Sequence, residues 1–406
     1  MMMKANDLIN GLLKPFNLRL IRASNYDRLL DARVLSHDRS GDYVNLDFHL
    51  PTFEVTPDDL EITKRVINAF YSAFEKEKSL AVKNSPSNDL WEKIRYRSQT
   101  EFIELLLKRD VSQIAGILVN ALRYPISYGL CWDSDRLSYE EACSENAPKL
   151  ATMIADRFIS LAEAVGVVHV ELPEWGRWGE NIYLNLSDVY KQVEQKTGLS
   201  LAIPDCFGLY GIQTGKHTIY VMTPSHAYAA WRIHELLNGE QNGHVCEIGG
   251  GYGGCAYYAF RGPLGKYVII DLPVINVLQG FFLIKTCGPQ NVRLYGEENE
   301  KHSIHVLPYW MIKEMPEKCF DLTFSQESLP EIDRKIAEEY IEEIARTTRQ
   351  YFLSINQETG ATVDYKDFQH NIVSALVAQR GSYKRLYRFP WWIRKGHVEE
   401  LYEITH

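Results

Sequence analysis

The chain has 406 residues, of which 45% are hydrophobic and 24% are charged, and its formal net charge is −9. This length predicts two domains, because single cores rarely grow beyond about 250–300 residues. The acidic balance and the lack of any long basic stretch argue against a nucleic-acid ligand. Seven scattered cysteines without a C-x-x-C pair predict neither a disulfide framework nor a zinc site.

The sequence shows no targeting or membrane signal. Residues 1–16 lack the continuous apolar stretch of a signal peptide, and no run approaches the 18 apolar residues of a membrane span. We therefore expect a cytoplasmic protein with no membrane span.

Helical patterns fill the first half of the chain. At residues 56–59 a threonine cap, a proline and two acids predict a helix start. One face then carries Ile62, Val66, Phe70 and Phe74, and further helical patterns cover about 99–122, 147–164 and 187–197. We predict a mainly helical N-terminal domain over 1–204 that shapes an acceptor site and could support a homo-oligomer.

Helices and short apolar strands alternate from about residue 225 onward, which is typical of βαβ units and a parallel sheet. The predicted helices are Ser225–Leu237, Tyr252–Phe260, Val274–Lys285 and Ile332–Thr347. The predicted strands are Val245–Ile248, Lys266–Asp271, Phe320–Phe324 and Tyr351–Ile355. Two last segments, Tyr383–Phe389 and Val398–Ile404, predict an antiparallel hairpin that closes a C-terminal domain over 205–406.

A glycine-rich turn follows the first of these strands, in the sequence VCEIGGGYGG over residues 245–254. Glycines are needed there because a tight turn requires unusual φ/ψ angles and a ligand must approach bare backbone. About twenty residues later, the next strand ends at Asp271. A carboxylate at that position can accept hydrogen bonds from both hydroxyls of a ribose.

Two cofactors fit this turn. Gly249-x-Gly251-x-x-Gly254 matches the dinucleotide fingerprint of NAD enzymes. S-adenosylmethionine is favoured because Glu247, at the strand tip, suits a cationic ligand better than a pyrophosphate. Only about 160 residues follow the turn, too few for a full dinucleotide sheet and a catalytic domain, and the closing hairpin matches a methyltransferase sheet.

The motifs carry a family resemblance. EIGGGYGG at 247–254 resembles motif I of class I S-adenosylmethionine-dependent methyltransferases, and Asp271-Leu272-Pro273 resembles the D-L-P of small-molecule O-methyltransferases. With SQESLPE at 325–331 and LSINQE at 353–358, the set is similar to sugar O-methyltransferases of bacterial surface-polysaccharide gene clusters. The resemblance covers about residues 205–406. It implies an α/β fold with a Rossmann-like methyltransferase sheet.

The resemblance also implies roles for individual residues. The methionine and ribose part of the cofactor would be lined by Glu247, Gly249, Gly250 and Gly251. Asp271 would hold the ribose hydroxyls, Leu272 would pack on the adenine, and Gln326 would touch both cofactor and acceptor. On position alone, Arg232 in the preceding helix could pair with the cofactor carboxylate.

Methyl transfer to a hydroxyl needs proximity and a base for the proton. Ligands of open α/β sheets lie at the carboxyl ends of the strands. We therefore predict a base among Glu327, Glu331 and His370. The alternatives are that Glu331 stabilises a helix dipole from the first helical turn and that His370 is a surface residue. Asn356 and Gln357 are predicted acceptor contacts. These acids and amides could also bind a divalent cation, but their spacing in the sequence does not identify a set of metal ligands.

Trp175 and Trp178, flanked by charges, resemble a sugar-stacking platform, or else anchor a loop in the core. The resulting prediction is an S-adenosylmethionine-dependent O-methyltransferase whose acceptor is a sugar hydroxyl in polysaccharide or glycan biosynthesis. Three alternatives stay open. They are a methyltransferase for a small aromatic or lipid metabolite, an NAD-dependent oxidoreductase, and a non-catalytic partner subunit with the same fold.

Overall fold

The computed structural model describes residues 46–80, 98–130, 139–171, 180–238, 242–298, 303–358 and 370–405. Five α-helices precede residue 204 in these segments. They are α1 (Pro57–Leu80), α2 (Thr100–Lys108), α3 (Val111–Leu118), α4 (Tyr139–Ala164) and α5 (Leu186–Thr197). A mainly helical N-terminal region is thus confirmed.

The predicted start of α1 is also confirmed. The backbone N–H of Asp59 donates to the Thr56 hydroxyl at 3.3 Å, while the N–H of Thr56 donates to the Asp59 carboxylate at 2.9 Å. This reciprocal pair satisfies donors that a helix start leaves unpaired. The helix predicted over 99–122 is two helices instead, because Arg109 adopts a left-handed φ of 53° between them.

A small antiparallel sheet joins the two halves of the chain. It contains β1 (Asp47–His49), β2 (Gly211–Thr214) and β3 (His217–Tyr220), in that order. The first of these strands precedes residue 204 and the other two follow it. The division into 1–204 and 205–406 therefore stays a prediction, and both parts contribute to one sheet.

The main sheet has eight strands in the order β10-β11-β9-β8-β4-β5-β7-β6. Strands β4 to β9 are parallel, whereas β11 runs antiparallel to β9 and β10. The strands are β4 (His244–Ile248), β5 (Lys266–Asp271), β6 (Val292–Leu294), β7 (Ile304–Pro308), β8 (Phe320–Gln326), β9 (Thr348–Gln357), β10 (Tyr383–Pro390) and β11 (His397–Ile404). The predicted parallel sheet with a closing hairpin is confirmed.

Helices cover both faces of this sheet. They are α6 (Thr223–Leu236), α7 (Gly254–Phe260), α8 (Pro273–Cys287), α9 (Met311–Glu314), α10 (Arg334–Thr347) and α11 (Val373–Val377). One apolar cluster unites α1, α4, α6, α7 and α8 with one face, and a second unites α10 and α11 with the other. Strands buried on both faces explain the short continuous apolar runs in the sequence.

The N-terminal helices are anchored to this sheet by partly buried ion pairs. Lys285 of α8 donates to Asp59 of α1 at 2.7 Å. Arg65 of α1 pairs with Glu297 at 2.5 Å, just after β6. These contacts fix α1 against the helix that follows Asp271, so the N-terminal region is part of the site's framework. Within the described segments, no helix combines the length and apolarity that a membrane crossing requires.

Candidate active site

The glycine turn begins where β4 ends. Gly249, Gly251 and Gly253 have φ angles of 75°, 53° and 97°, in the left-handed region that favours glycine. A Cβ on Gly249 would lie 2.3 Å from Cβ of Ser328, so this position is closed to larger residues. A Cβ on Gly251 would meet nothing within 4 Å. The backbone at Gly251 is therefore open to an incoming ligand.

Asp271 lies beside this turn at the end of β5. Its carboxylate accepts hydrogen bonds from the backbone of Gly250 at 2.9 Å, from the backbone of Leu272 at 2.7 Å and from Gln279 Nε2 at 2.7 Å. A carboxylate offers about four acceptor positions. The structure thus leaves room for about one ribose hydroxyl rather than the two that were expected.

Glu247 is buried inside the same turn. Its carboxyl accepts a hydrogen bond from Tyr267 at 3.0 Å, and a Cβ on Gly250 would lie 3.1 Å from Oε2. Burial raises the pKa of Glu247 to about 8 and that of Asp271 to about 6. A buried acid and a partly buried acid, both of raised pKa, thus lie at one turn, where their ionised forms would stabilise a cationic group.

These residues fit S-adenosylmethionine. Asp271 provides negative charge near the open backbone of Gly251, Glu247 would add to it on losing its proton, and Leu272 lies half-buried at the start of α8. When bound, the cofactor would supply an electrophilic methyl group. Gln279, which sequence reasoning missed, holds both Asp271 and the carbonyl of Gly251 at 2.9 Å.

A polar clamp ties the loop after β8 to the glycine turn. The Ser328 hydroxyl donates to the carbonyl of Ile248 at 2.6 Å. Asn356 accepts from the Ser328 backbone at 3.3 Å and donates to Ser325 and Ser354 at 3.1 and 2.8 Å. Asn356 is almost fully buried. Its amide is used inside the protein, so the structure gives no support for the predicted acceptor contact.

Glu327 follows β8 in a left-handed conformation with φ of 55°. Its Oε2 accepts a hydrogen bond from Arg394, and its Oε1 lies 3.5 Å from Nε2 of His397. Burial alone would raise its pKa, but the charge of Arg394 lowers the pKa of Glu327 below its ordinary value. Glu327 is therefore an ionised, paired carboxylate and a weaker base than was expected.

His226 lies in the first turn of α6, against Gly254 at the start of α7. A Cβ on Gly254 would lie 2.1 Å from its Nδ1, and its ring centroid lies 5.3 Å from that of Tyr252. Burial lowers the pKa of His226 to about 4, and the charge of Glu327 opposes that shift. The ring is neutral at pH 7.

The remaining predicted residues after β8 and β9 lie near this loop. Gln357 donates to Glu331 at 3.3 Å, and Glu331 lies in a single turn of 3₁₀-helix, Leu329–Glu331. Gln326 ends β8, and its Nε2 is buried without a hydrogen bond to any described residue. His370 is half-buried, which lowers its pKa, and adjoins Asn371, which donates to Leu329 and Ile332.

Arg232 has a different environment from the one expected. Its guanidinium pairs with Glu399 at 3.2 Å and donates to Tyr387 at 2.8 Å. Tyr228 also donates to Glu399, at 2.6 Å. Because Arg232 already neutralises a fully buried carboxylate, the structure assigns it to helix–sheet packing rather than to the cofactor.

Two further predictions have a different status. Trp175 and Trp178 lie outside the described residues. In the part of the chain that the structure describes, no group of three or more histidine, cysteine, aspartate or glutamate side chains is arranged to hold a metal ion.

Sequence reasoning missed His226, Arg394 and His397. His397 begins the antiparallel strand β11, and only strand order places it beside Glu327 at the carboxyl edge of the parallel strands. The available signal was weak: a histidine at a predicted helix start and another after a tryptophan-rich turn.

No protein-family model matches the sequence, and no curated protein is significantly similar to it. Several solved structures overlap about half of the chain. Geranyl diphosphate C-methyltransferase from Streptomyces coelicolor A3(2), solved with S-adenosyl-L-homocysteine, is 10% identical over 46% of this chain and 78% of its own, with a TM-score of 0.36. The pyocyanin biosynthetic protein PhzM is 13% identical over 46% and 56%, with a TM-score of 0.35.

A SAM-dependent methyltransferase from Aquifex aeolicus is 14% identical over 43% of this chain and 89% of its own, with a TM-score of 0.31. By its own strand order, glycine turn and closing hairpin, the chain has an α/β, Rossmann-like class I methyltransferase fold.

Proposed function

We propose that the chain is an S-adenosylmethionine-dependent O-methyltransferase whose acceptor is a sugar hydroxyl in polysaccharide or glycan biosynthesis. The open backbone at Gly251, in the same turn as the buried Glu247 and the partly buried Asp271, carries the cofactor part of this proposal. An NAD pyrophosphate at the same turn would lie next to two carboxyl groups. Among the described residues, no positively charged side chain contacts this turn to offset the repulsion.

The acceptor part is supported by buried polar atoms at the same edge of the sheet. Gln326 Nε2 and Trp391 Nε1 are buried and make no hydrogen bond to a described residue. The rings of Trp391 and His397 are 5.8 Å apart, and Glu327 lies 3.5 Å from His397. Native proteins rarely leave buried polar atoms unpaired.

A polyhydroxylated ligand would supply partners for such atoms. An aromatic or lipid acceptor would leave them unpaired, at a cost of about 1–3 kcal/mol for each group. This difference favours a sugar over the aromatic and lipid alternatives.

Calorimetry tests the cofactor. We expect S-adenosylhomocysteine to bind and NADH not to bind under the same conditions. Binding of NADH alone would overturn the methyltransferase proposal in favour of the oxidoreductase.

A labelled-methyl assay tests the acceptor. Methyl glycosides of hexoses, deoxyhexoses and aminosugars would be compared with catechols and hydroxylated fatty acids, using methyl-labelled S-adenosylmethionine and product mass. We expect labelled ethers among the glycosides. Label only on the catechols or lipids would move the acceptor to the alternative class, and tight S-adenosylhomocysteine binding without any transfer would favour a non-catalytic subunit.

A further inference from the structure

One exposed tryptophan at the candidate site has no assigned role. Trp392 lies in the turn between β10 and β11, and 39% of its surface is exposed. Its indole is nevertheless fixed, because Nε1 donates to the carboxylate of Glu163 at 2.9 Å. Glu163 is buried in α4, where it also accepts from Nδ2 of Asn181 at 2.9 Å. The ring is therefore held through its N–H group while part of its apolar surface stays accessible.

The turn that carries Trp392 lies at the carboxyl edge of the parallel strands. His397, the first residue of β11, pairs with Gln357, the last residue of β9. Arg394, two residues after Trp392, donates to Glu327, which directly follows β8. Ligands of open α/β sheets bind at this edge. Trp392 thus lies on the side of the sheet where an acceptor would meet the cofactor.

The backbone of this turn is fixed as well. The N–H of Trp391 donates to the carbonyl of His397 at 2.8 Å, and the N–H of Glu358 donates to the carbonyl of Gly396 at 3.1 Å. The Trp391 ring is buried, with its centroid 6.1 Å from that of Tyr228 in α6. A side chain on such a turn loses little conformational entropy when it binds a ligand.

Two occupants suit an exposed aromatic ring at this place. One is a sugar ring, whose C–H face packs on an aromatic face, and the other is a second copy of the chain. The outermost strand β10 argues against the second copy. It exposes Lys384, Arg385 and Arg388 and ends at Pro390, and charges and proline on an edge strand disfavour pairing with another sheet.

We propose that Trp392 binds the acceptor by stacking on the apolar face of its sugar ring. This inference rests on the proposed function and names a residue that contributes to the choice of acceptor. Both halves of the chain then build the acceptor site, because Glu163 of α4 holds a ring of the C-terminal hairpin. Trp392 takes no part in bond making, so its loss should raise the KM for the acceptor and leave kcat nearly unchanged.

Matched variants of the hairpin provide the first test. In Trp392→Leu, which keeps apolar bulk without an aromatic face, the KM for the methyl glycoside that is methylated fastest should rise about 10-fold. Trp392→Phe also lacks the N–H group but keeps a ring, so its KM should stay closer to that of the wild type. Phe389, an aromatic residue of β10 that is 38% exposed, supplies the control, and Phe389→Leu should keep the wild-type KM.

A second test needs no turnover. Saturation-transfer NMR with the same methyl glycosides, in the presence of S-adenosylhomocysteine, reports contacts to the C–H protons of the sugar. The wild type and Phe389→Leu should show this transfer, and Trp392→Leu should lose most of it. Affinity for S-adenosylhomocysteine should be equal in all variants, and light scattering should give them the same molar mass as the wild type.

The outcomes separate the two proposals. A wild type that binds and methylates no glycoside refutes the proposed function, and the role of Trp392 falls with it. Methylation of a glycoside with the same KM in the wild type and in Trp392→Leu refutes the stacking role alone. An equal rise of KM in Phe389→Leu, or in Trp392→Phe as large as in Trp392→Leu, also refutes it. A smaller molar mass of Trp392→Leu than of the wild type would make this ring a contact between copies instead.

Discussion

Replacing Asp271 by alanine tests the cofactor site most directly. Three of about four acceptor positions on this carboxylate are filled by Gly250, Leu272 and Gln279, at 2.7 to 2.9 Å. One position is left for a ribose hydroxyl. A hydrogen bond to a charged group contributes about 1.5–3 kcal/mol, so Asp271→Ala should weaken binding of S-adenosylhomocysteine by about 10- to 150-fold.

Asp321→Ala is the matched control. Asp321 is a buried aspartate at the start of β8, on the opposite edge of the sheet, where it accepts from the backbone of His244 at 2.8 Å and pairs with Arg349 at 2.9 Å. Both variants should lose unfolding free energy, whereas the affinity should fall only in Asp271→Ala. Calorimetry and chemical denaturation measure the two quantities. Wild-type affinity in Asp271→Ala, or an equal loss in both variants, would refute the reasoning.

Three further variants test neighbouring features. Glu247, with a pKa of about 8, is mostly protonated at pH 7, so a cationic ligand should displace its proton and bind more tightly as pH rises from 6 to 8. Calorimetry in phosphate and in Tris should show this proton release. Glu247→Gln should abolish the proton release. Gly251→Val should abolish cofactor binding while far-ultraviolet circular dichroism stays unchanged, and normal binding would make the turn purely structural. Arg232→Ala should cost about 3–5 kcal/mol of unfolding free energy, since it leaves Glu399 buried without its cation. A weaker cofactor affinity in this variant would instead support pairing of Arg232 with the cofactor carboxylate.

Local patterns along the sequence determined most of the elements. The run from Lys266 to Asp271 forms a strand with the predicted bounds, because β-branched residues between a glycine and a proline leave few alternatives. The glycines at 249 and 251 also predicted a turn that needs positive φ, and both have it. Such features depend on neighbouring residues alone, so they can be recognised without a fold.

Short strands were harder to recognise. Strands β6 and β7, at Val292–Leu294 and Ile304–Pro308, were not predicted. Three to five residues carry too little periodic signal, and their strand conformation is stabilised by pairing with neighbours that are distant in sequence.

Side-chain roles depended on contacts that the sequence cannot show. Glu327 looked like a base because it follows a strand, yet Arg394, 67 residues away, pairs with it and lowers its pKa. Arg232 looked available for a cofactor, yet Glu399, 167 residues away, already binds it. By itself, the sequence determined the strands, helices and glycine turn, because backbone preferences are local. Only the tertiary structure decided which charges meet, since crossovers and the antiparallel β11 bring distant residues to one edge of the sheet.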